Sequence, residues 1–179
     1  MGESALTKAI LAAKEKGRPA LIPFLTGGYP DREGFWQALD ELAGSGADVI
    51  EIGVPFSDPV ADGPVVAAAG LKALEDGVDL AWILDGLAQA KPKVPLVLMS
   101  YANPLVQYAW GQTDVDAPLE ARLLTSLEIL AKTAKRASIS GLIVPDVPLE
   151  ESGPFRKAFT GEGLDLIPLV GPNTSLERM

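Results

Sequence analysis

The sequence predicts an α/β fold of parallel strands covered by helices, and three observations carry that prediction. Strand-like and helix-like patterns alternate five times along 179 residues. Each strand pattern is a near-continuous apolar run, the mark of a strand buried on both faces and joined by right-handed crossovers. Each run also ends in a Gly, Pro, Asn or Asp turn, which gathers the polar groups at the C-terminal ends of the strands.

Taken in order, Ser4 caps a short helix with Leu6, Ile10 and Ala13 on its apolar side, lysines opposite and Gly17 as its stop. Residues 1–17 read as a helix packed on a single domain that spans 1–179. Leu21–Thr26 is the first strand, and Pro23 suits an edge better than a centre. Gly27–Asp31 turns, and Asp31 caps a helix with Phe35, Ala38, Leu39 and Leu42 on one face. Gly44-Ser45-Gly46 ends that helix, and Asp48–Gly53 is the second strand, rich in β-branched residues. Val65–Asp76 is helical and stops at Gly77, and Asp79 caps a further helix with Leu80, Ile83, Leu84 and Leu87 in register. Val94–Tyr101 is the third strand, closed by a turn at Ala102-Asn103-Pro104. Trp110–Pro118 reads as loop, with Asp116 capping a long helix that carries Leu119, Leu123, Leu127 and Leu130. Gly141–Val144 is the fourth strand, a helix with Phe155 and Phe159 follows, and Leu164–Val170 is the fifth strand. Ser175 caps a last helix. A (β/α)8 barrel and an open doubly wound sheet both fit this alternation, although no GxGxxG or Walker loop follows the first strand.

Composition narrows the chemistry. The chain has no cysteine and no histidine, so disulfides, thiolate nucleophiles, histidine triads and zinc–histidine sites are all excluded. Proton transfer near neutral pH must then use tuned carboxylates, tyrosines or lysines. A net charge of −9 argues against nucleic acid or an anionic membrane as the main partner. No apolar run reaches membrane-span length and Met1–Gly17 lacks the pattern of a signal peptide, so the chain reads as cytoplasmic.

Ile50–Pro64 is the stretch where those carboxylates matter. Strand alternation puts Val49, Glu51 and Gly53 on one face, with Ile50, Ile52 and Val54 on the other. Glu51 thus sits on a face that its neighbours mark as covered, where an ionised carboxylate needs a partner, a ligand or a raised pKa. A paired structural carboxylate is the plainer reading of Glu51 by itself. The Pro/Gly-rich loop that follows adds Asp62, and its rigid backbone can return that carboxylate to the strand end. Two carboxylates in different environments are a common acid/base arrangement.

The run IEIGVPFSDPVADGP resembles the tryptophan synthase alpha chain family, as do LIPFLTGGYPD, YANP, GLIVPDVPLEES and LDLIPLVGPN along the rest of the chain. The resemblance implies a (β/α)8 TIM-barrel with about its first five strand–helix units present here. It also implies a lyase of tryptophan biosynthesis that cleaves indole-3-glycerol phosphate to indole and glyceraldehyde 3-phosphate, with no metal or organic cofactor in this chain. On that basis Glu51 is the acid/base that protonates the indole ring, and Asp62 is the carboxylate that holds the indole nitrogen. Phe24, Val66 and Tyr101 match substrate-pocket positions. Pro55 and Asp58 lie in the loop that meets the beta subunit, which carries pyridoxal phosphate in an α2β2 tetramer.

Two departures from the family pattern set further expectations. The segment around 109–138 is longer than usual, which predicts an enlarged loop and a lengthened third helix with an effect on partner docking. The family runs to eight strands, and these residues end after the fifth. The phosphate-holding loops of a barrel's last strands would then lie outside this sequence. The sequence reads as a fragment or truncated product with two open sheet edges, weak or absent lyase activity by itself and a tendency to self-associate. Two other functions compete. One is a non-catalytic alpha chain that only binds or activates the beta subunit. The other is a different phosphate-handling barrel, against which the SDPVADGP loop counts.

Overall fold

The structure, a computed structural model, describes residues 3–178. Helix α1 (Ala5–Glu15) precedes five strand units: β1 (Phe24–Thr26), β2 (Ile50–Gly53), β3 (Leu96–Met99), β4 (Ile139–Ile143) and β5 (Asp165–Ile167). The connecting helices are α2 (Arg32–Gly44), α3 (Pro64–Glu75), α4 (Leu80–Ala90), α5 (Ala102–Gln107), α6 (Leu119–Arg136) and α7 (Gly153–Gly161). No helix among the described residues is long and apolar enough to cross a membrane.

All strands are parallel and lie in the order β1-β2-β3-β4-β5. A doubly wound sheet reverses direction at a switch point, and this order never reverses. It is the progression of a (β/α)8 barrel wall, which decides between the two architectures the sequence left open. Among the described residues β1 and β5 form the sheet's two edges, flanked by exposed Leu21 and Ile22 on one side and Leu169 and Val170 on the other.

The pleat sorts the strand residues as expected. Ile50, Ile52, Leu96, Leu98 and Leu142 point outward into the main core and meet Phe35, Leu39, Ile83, Leu87, Leu127 and Phe159 from the helices. Val49, Val97 and Ile143 form a second, smaller cluster on the inner face, closed from below by Leu6 of α1. Gly141 makes that closure possible, because a Cβ at this position would stand 2.7 Å from Leu6 Cδ1.

Three expectations are corrected. Ala102-Asn103-Pro104 is the first turn of α5 rather than a turn between elements; a proline is tolerated there because first-turn amides have no helical acceptor. Asp116 does not cap α6. Pro118 disfavours helix at the residue before it, so the helix starts at Leu119 with Pro118 as its N-cap, and Asp116 lies too early to reach the first free amides. Ile10 is exposed, while Leu6 and Ala13 are the buried residues of α1. The region 109–138 forms a short 3₁₀ turn (Trp110–Gln112) and the 18-residue α6.

β1 is shorter than its apolar run because Pro23 has no amide to donate. Its carbonyl still accepts from Glu51 N–H at 2.9 Å, and Leu21 O accepts from Asp48 N–H at 2.9 Å. The same junction is pinned by a two-pronged ion pair, Arg18 Nη1 to Asp48 Oδ2 at 2.6 Å and Nη2 to Oδ1 at 2.9 Å, while Leu21 N–H donates to the same carboxylate. The Arg18 guanidinium, helped by the Leu21 amide, holds the Asp48 carboxyl down at about 2. A depressed carboxyl stabilises the fold above its ordinary value of 3.8, and that stability is lost as pH falls through about 2. Asp48→Asn is therefore expected to lower Tm at neutral pH and to converge on the parent at the acid end, which circular-dichroism melts across the pH range would read.

Candidate functional site

The inner face of β2 supplies the first component. Glu51 pairs in register with Phe24 of β1 on one side and Val97 of β3 on the other, so both flanking side chains are apolar. The carboxyl is half-buried and has no hydrogen-bond partner among the described residues. Burial raises its pKa above the ordinary glutamate value. An acid in this condition is poised to carry a proton.

Gly53 ends the strand and leaves room for its neighbour's ring. A Cβ there would stand 2.5 Å from Phe24 Cζ. The chain then crosses to β3 through Val54 N–H donating to Met99 O at 2.8 Å, and enters the loop 54–63.

Tyr101, at the end of β3 and only 2% exposed, fastens that loop twice. Its ring lies against Phe56 at 5.1 Å between centroids, tilted by 31°. Its hydroxyl accepts from Ala61 N–H at 2.8 Å. Within the loop, Ser57 Oγ donates to Asp58 Oδ2 at 2.5 Å, and Asp62 N–H closes a turn on Pro59 O at 3.2 Å. Asp62 is thereby left half-buried beside the Tyr101 phenol. Burial first, and then the Asp62 charge, push the Tyr101 pKa upward.

Phe24, Pro55, Asp62 and Val66 line one cleft, together with Thr26, Gly53, Val54, Phe56, Pro59, Gly70 and Met99. Its free volume is about 10 Å³, enough for one water, so a larger ligand requires the Phe24 ring or the loop to move. Glu51 and Tyr101 stand behind this lining: Glu51 next to Phe24 in the sheet, Tyr101 against Phe56 and Ala61. Pro55 is buried in the cleft wall, whereas Asp58 is exposed at the rim. The inner face of β2 thus carries one carboxyl, and the loop that leaves its C-terminal end carries another, on the side where barrels build their sites.

Comparison with known proteins gives this arrangement a family. A sequence model described as "Tryptophan synthase alpha chain" matches residues 10–179. The chain belongs to the tryptophan synthase alpha chain family. It is 56% identical to the tryptophan synthase alpha chain of Desulfovibrio desulfuricans over 176 residues, which cover 97% of this chain and 62% of that protein. It is 52% identical to that of Solidesulfovibrio magneticus, covering all of this chain and 64% of the relative. Among solved structures, tryptophan synthase subunit alpha of Legionella pneumophila superposes with a TM-score of 0.84 at 31% identity, over 99% of this chain and 62% of that one. A chain of tryptophan synthase from M. tuberculosis gives 0.83 at 32% identity, over 99% and 65%. The chain spans a little under two thirds of the length of these curated relatives.

Sequence reasoning missed several residues of this cleft. Thr26, Gly53 and Met99 line the cleft, but in sequence they are indistinguishable from ordinary strand-end residues. Phe56 was passed over inside the signature itself.

Proposed function

We propose that the protein is a carbon–carbon lyase of tryptophan biosynthesis that cleaves indole-3-glycerol phosphate to indole and glyceraldehyde 3-phosphate. The observation that carries the proposal is Glu51: a half-buried acid with no hydrogen-bond partner among the described residues and a raised pKa, on the inner face of a barrel strand. Such a group can give a proton to the ring carbon that bears the side chain. The bond from that carbon to the side chain then breaks, its electron pair returns to the ring, and the neighbouring hydroxyl becomes the aldehyde as it releases its proton to Glu51. The ring nitrogen is positive in between. Asp62, held near the cleft by the Tyr101-fastened loop, is the anion that would face it.

In this reading Phe24 and Val66 form the wall around the indole with Tyr101 behind it, and residues 1–179 belong to one barrel domain whose lower end is covered by α1 of the N-terminal segment 1–17. No metal or organic cofactor is assigned to this chain. Its partner is a beta subunit holding pyridoxal phosphate in an α2β2 assembly in the cytoplasm, and exposed Asp58, hydrogen-bonded to Ser57, presents the contact loop. The test is to measure indole and glyceraldehyde 3-phosphate released from indole-3-glycerol phosphate, with and without the beta subunit. Both products in equal amounts are expected. Activation of the beta subunit with no product from either condition would remove the lyase reading.

A further inference from the structure

Tyr101 holds the Asp62 loop, and something must in turn hold Tyr101. Its own segment is tied to β4 on both sides. Before it, Ser100 N–H donates to Ile143 O at 3.0 Å. After it, Ala102 N–H donates to the Asp146 carboxylate, at 2.9 Å to Oδ1 and 3.2 Å to Oδ2. Asp146 lies in the loop after β4, 44 residues further along the chain. It is the only side chain in this pair of ties, and a charge-assisted bond to a backbone amide is stronger than a neutral one. Ser100 Oγ also donates to Tyr101 O at 3.0 Å, so the backbone around the tyrosine is fixed at each polar group named here.

We propose that Asp146 is a positioning residue: through Ala102 it fixes Tyr101, and through Tyr101 it fixes the loop that carries Asp62. The loops after β2, β3 and β4 are thereby joined in series, from Asp146 to Ala102, from Tyr101 to Ala61, and on to Asp62. Asp146 is not one of the cleft-lining residues, and among the described residues its hydrogen bonds come from the Ala102 amide.

The kinetic consequence rests on the lyase reading, whereas the structural one does not, and a two-part experiment separates them. Amide hydrogen exchange is followed at Ala102 and Ala61 in the parent, Asp146→Ala, Asp146→Asn and Tyr101→Phe. Asp146→Ala should speed exchange at both amides, about tenfold or more at Ala102, the fold-change of losing one charge-assisted hydrogen bond. Asp146→Asn keeps an acceptor oxygen and should restore most of the protection at both sites. Tyr101→Phe should release Ala61 alone. Where the parent turns over substrate, Asp146→Ala should lower kcat with KM nearly unchanged, and Asp146→Asn should recover most of the loss. Ala61 exchange that stays at the parent rate while Ala102 is released overturns the proposal. Loss of both protections in Asp146→Ala, beside a parent without lyase activity, would uphold it and reject the catalytic reading. Should Asp146→Ala not fold, Asp146→Leu keeps the bulk of the side chain without an acceptor and answers the same exchange question.

Discussion

Glu51→Gln is expected to reduce cleavage by about 10²–10⁴-fold, the usual worth of one positioned acid/base, while leaving the fold intact. Stability should move the other way. A carboxyl whose folded-state pKa stands above its unfolded value favours the fold in its protonated form. That contribution is complete below the ordinary glutamate value of 4.5 and is lost as pH rises through the raised one. At neutral pH the native chain therefore carries a half-buried charge that disfavours folding, and the neutral amide does not. Glu51→Gln should melt at or above the parent at neutral pH, and the difference should shrink in acid. The pH slope is opposite in sign to that of Asp48, three residues earlier in the same chain segment. Calorimetry across the pH range, beside an assay of released indole, checks both halves. A lower neutral-pH Tm for the glutamine variant would make Glu51 a paired structural carboxylate after all.

Asp62→Asn is expected to cost about 10²–10³-fold in kcat, the scale of removing one electrostatic stabiliser from a developing charge. The substitution preserves size and polarity, so the Ala61–Tyr101 hydrogen bond and the Phe56–Tyr101 ring contact should persist. What disappears is the negative charge. Tyr101 reports that loss directly, since the Asp62 charge is one of the causes that raise its pKa, after burial. Absorbance titration of the phenols should show the Tyr101 phenol ionising at lower pH in the variant than in the parent. An unchanged kcat together with a shifted phenol would leave Asp62 as loop packing and take the indole nitrogen away from it.

Much of this architecture was legible because local chemistry and tertiary need coincide. Ser4, Asp31 and Asp79 cap their helices through the side-chain contacts their positions predicted, each bonding the amide three residues on. The strand runs are apolar on both faces because both faces are covered, and that doubling identified parallel strands without fixing how they wind. Strand order decides the winding, and it is a property of pairing between segments tens of residues apart. Asp116 failed as a cap for a nearby reason, since the proline two residues later moved the helix start. Glu51 was visible as a lone acid on a covered face. Asp146 was hard to find because its role exists only once the ends of β3 and β4 lie side by side, and within its own turn it looks like any other acidic loop residue.

The unreversed order of the sheet also bears on how the chain is made. Every strand pairs with the one synthesised just before it: β2 on β1, β3 on β2, β4 on β3 and β5 on β4. A ribosome emitting this sequence therefore delivers each of the strands β2 to β5 to an edge that has already emerged. The exception is α1. Its Leu6 seats against Gly141, so the first helix to emerge can complete its docking only after most of the sheet has been translated.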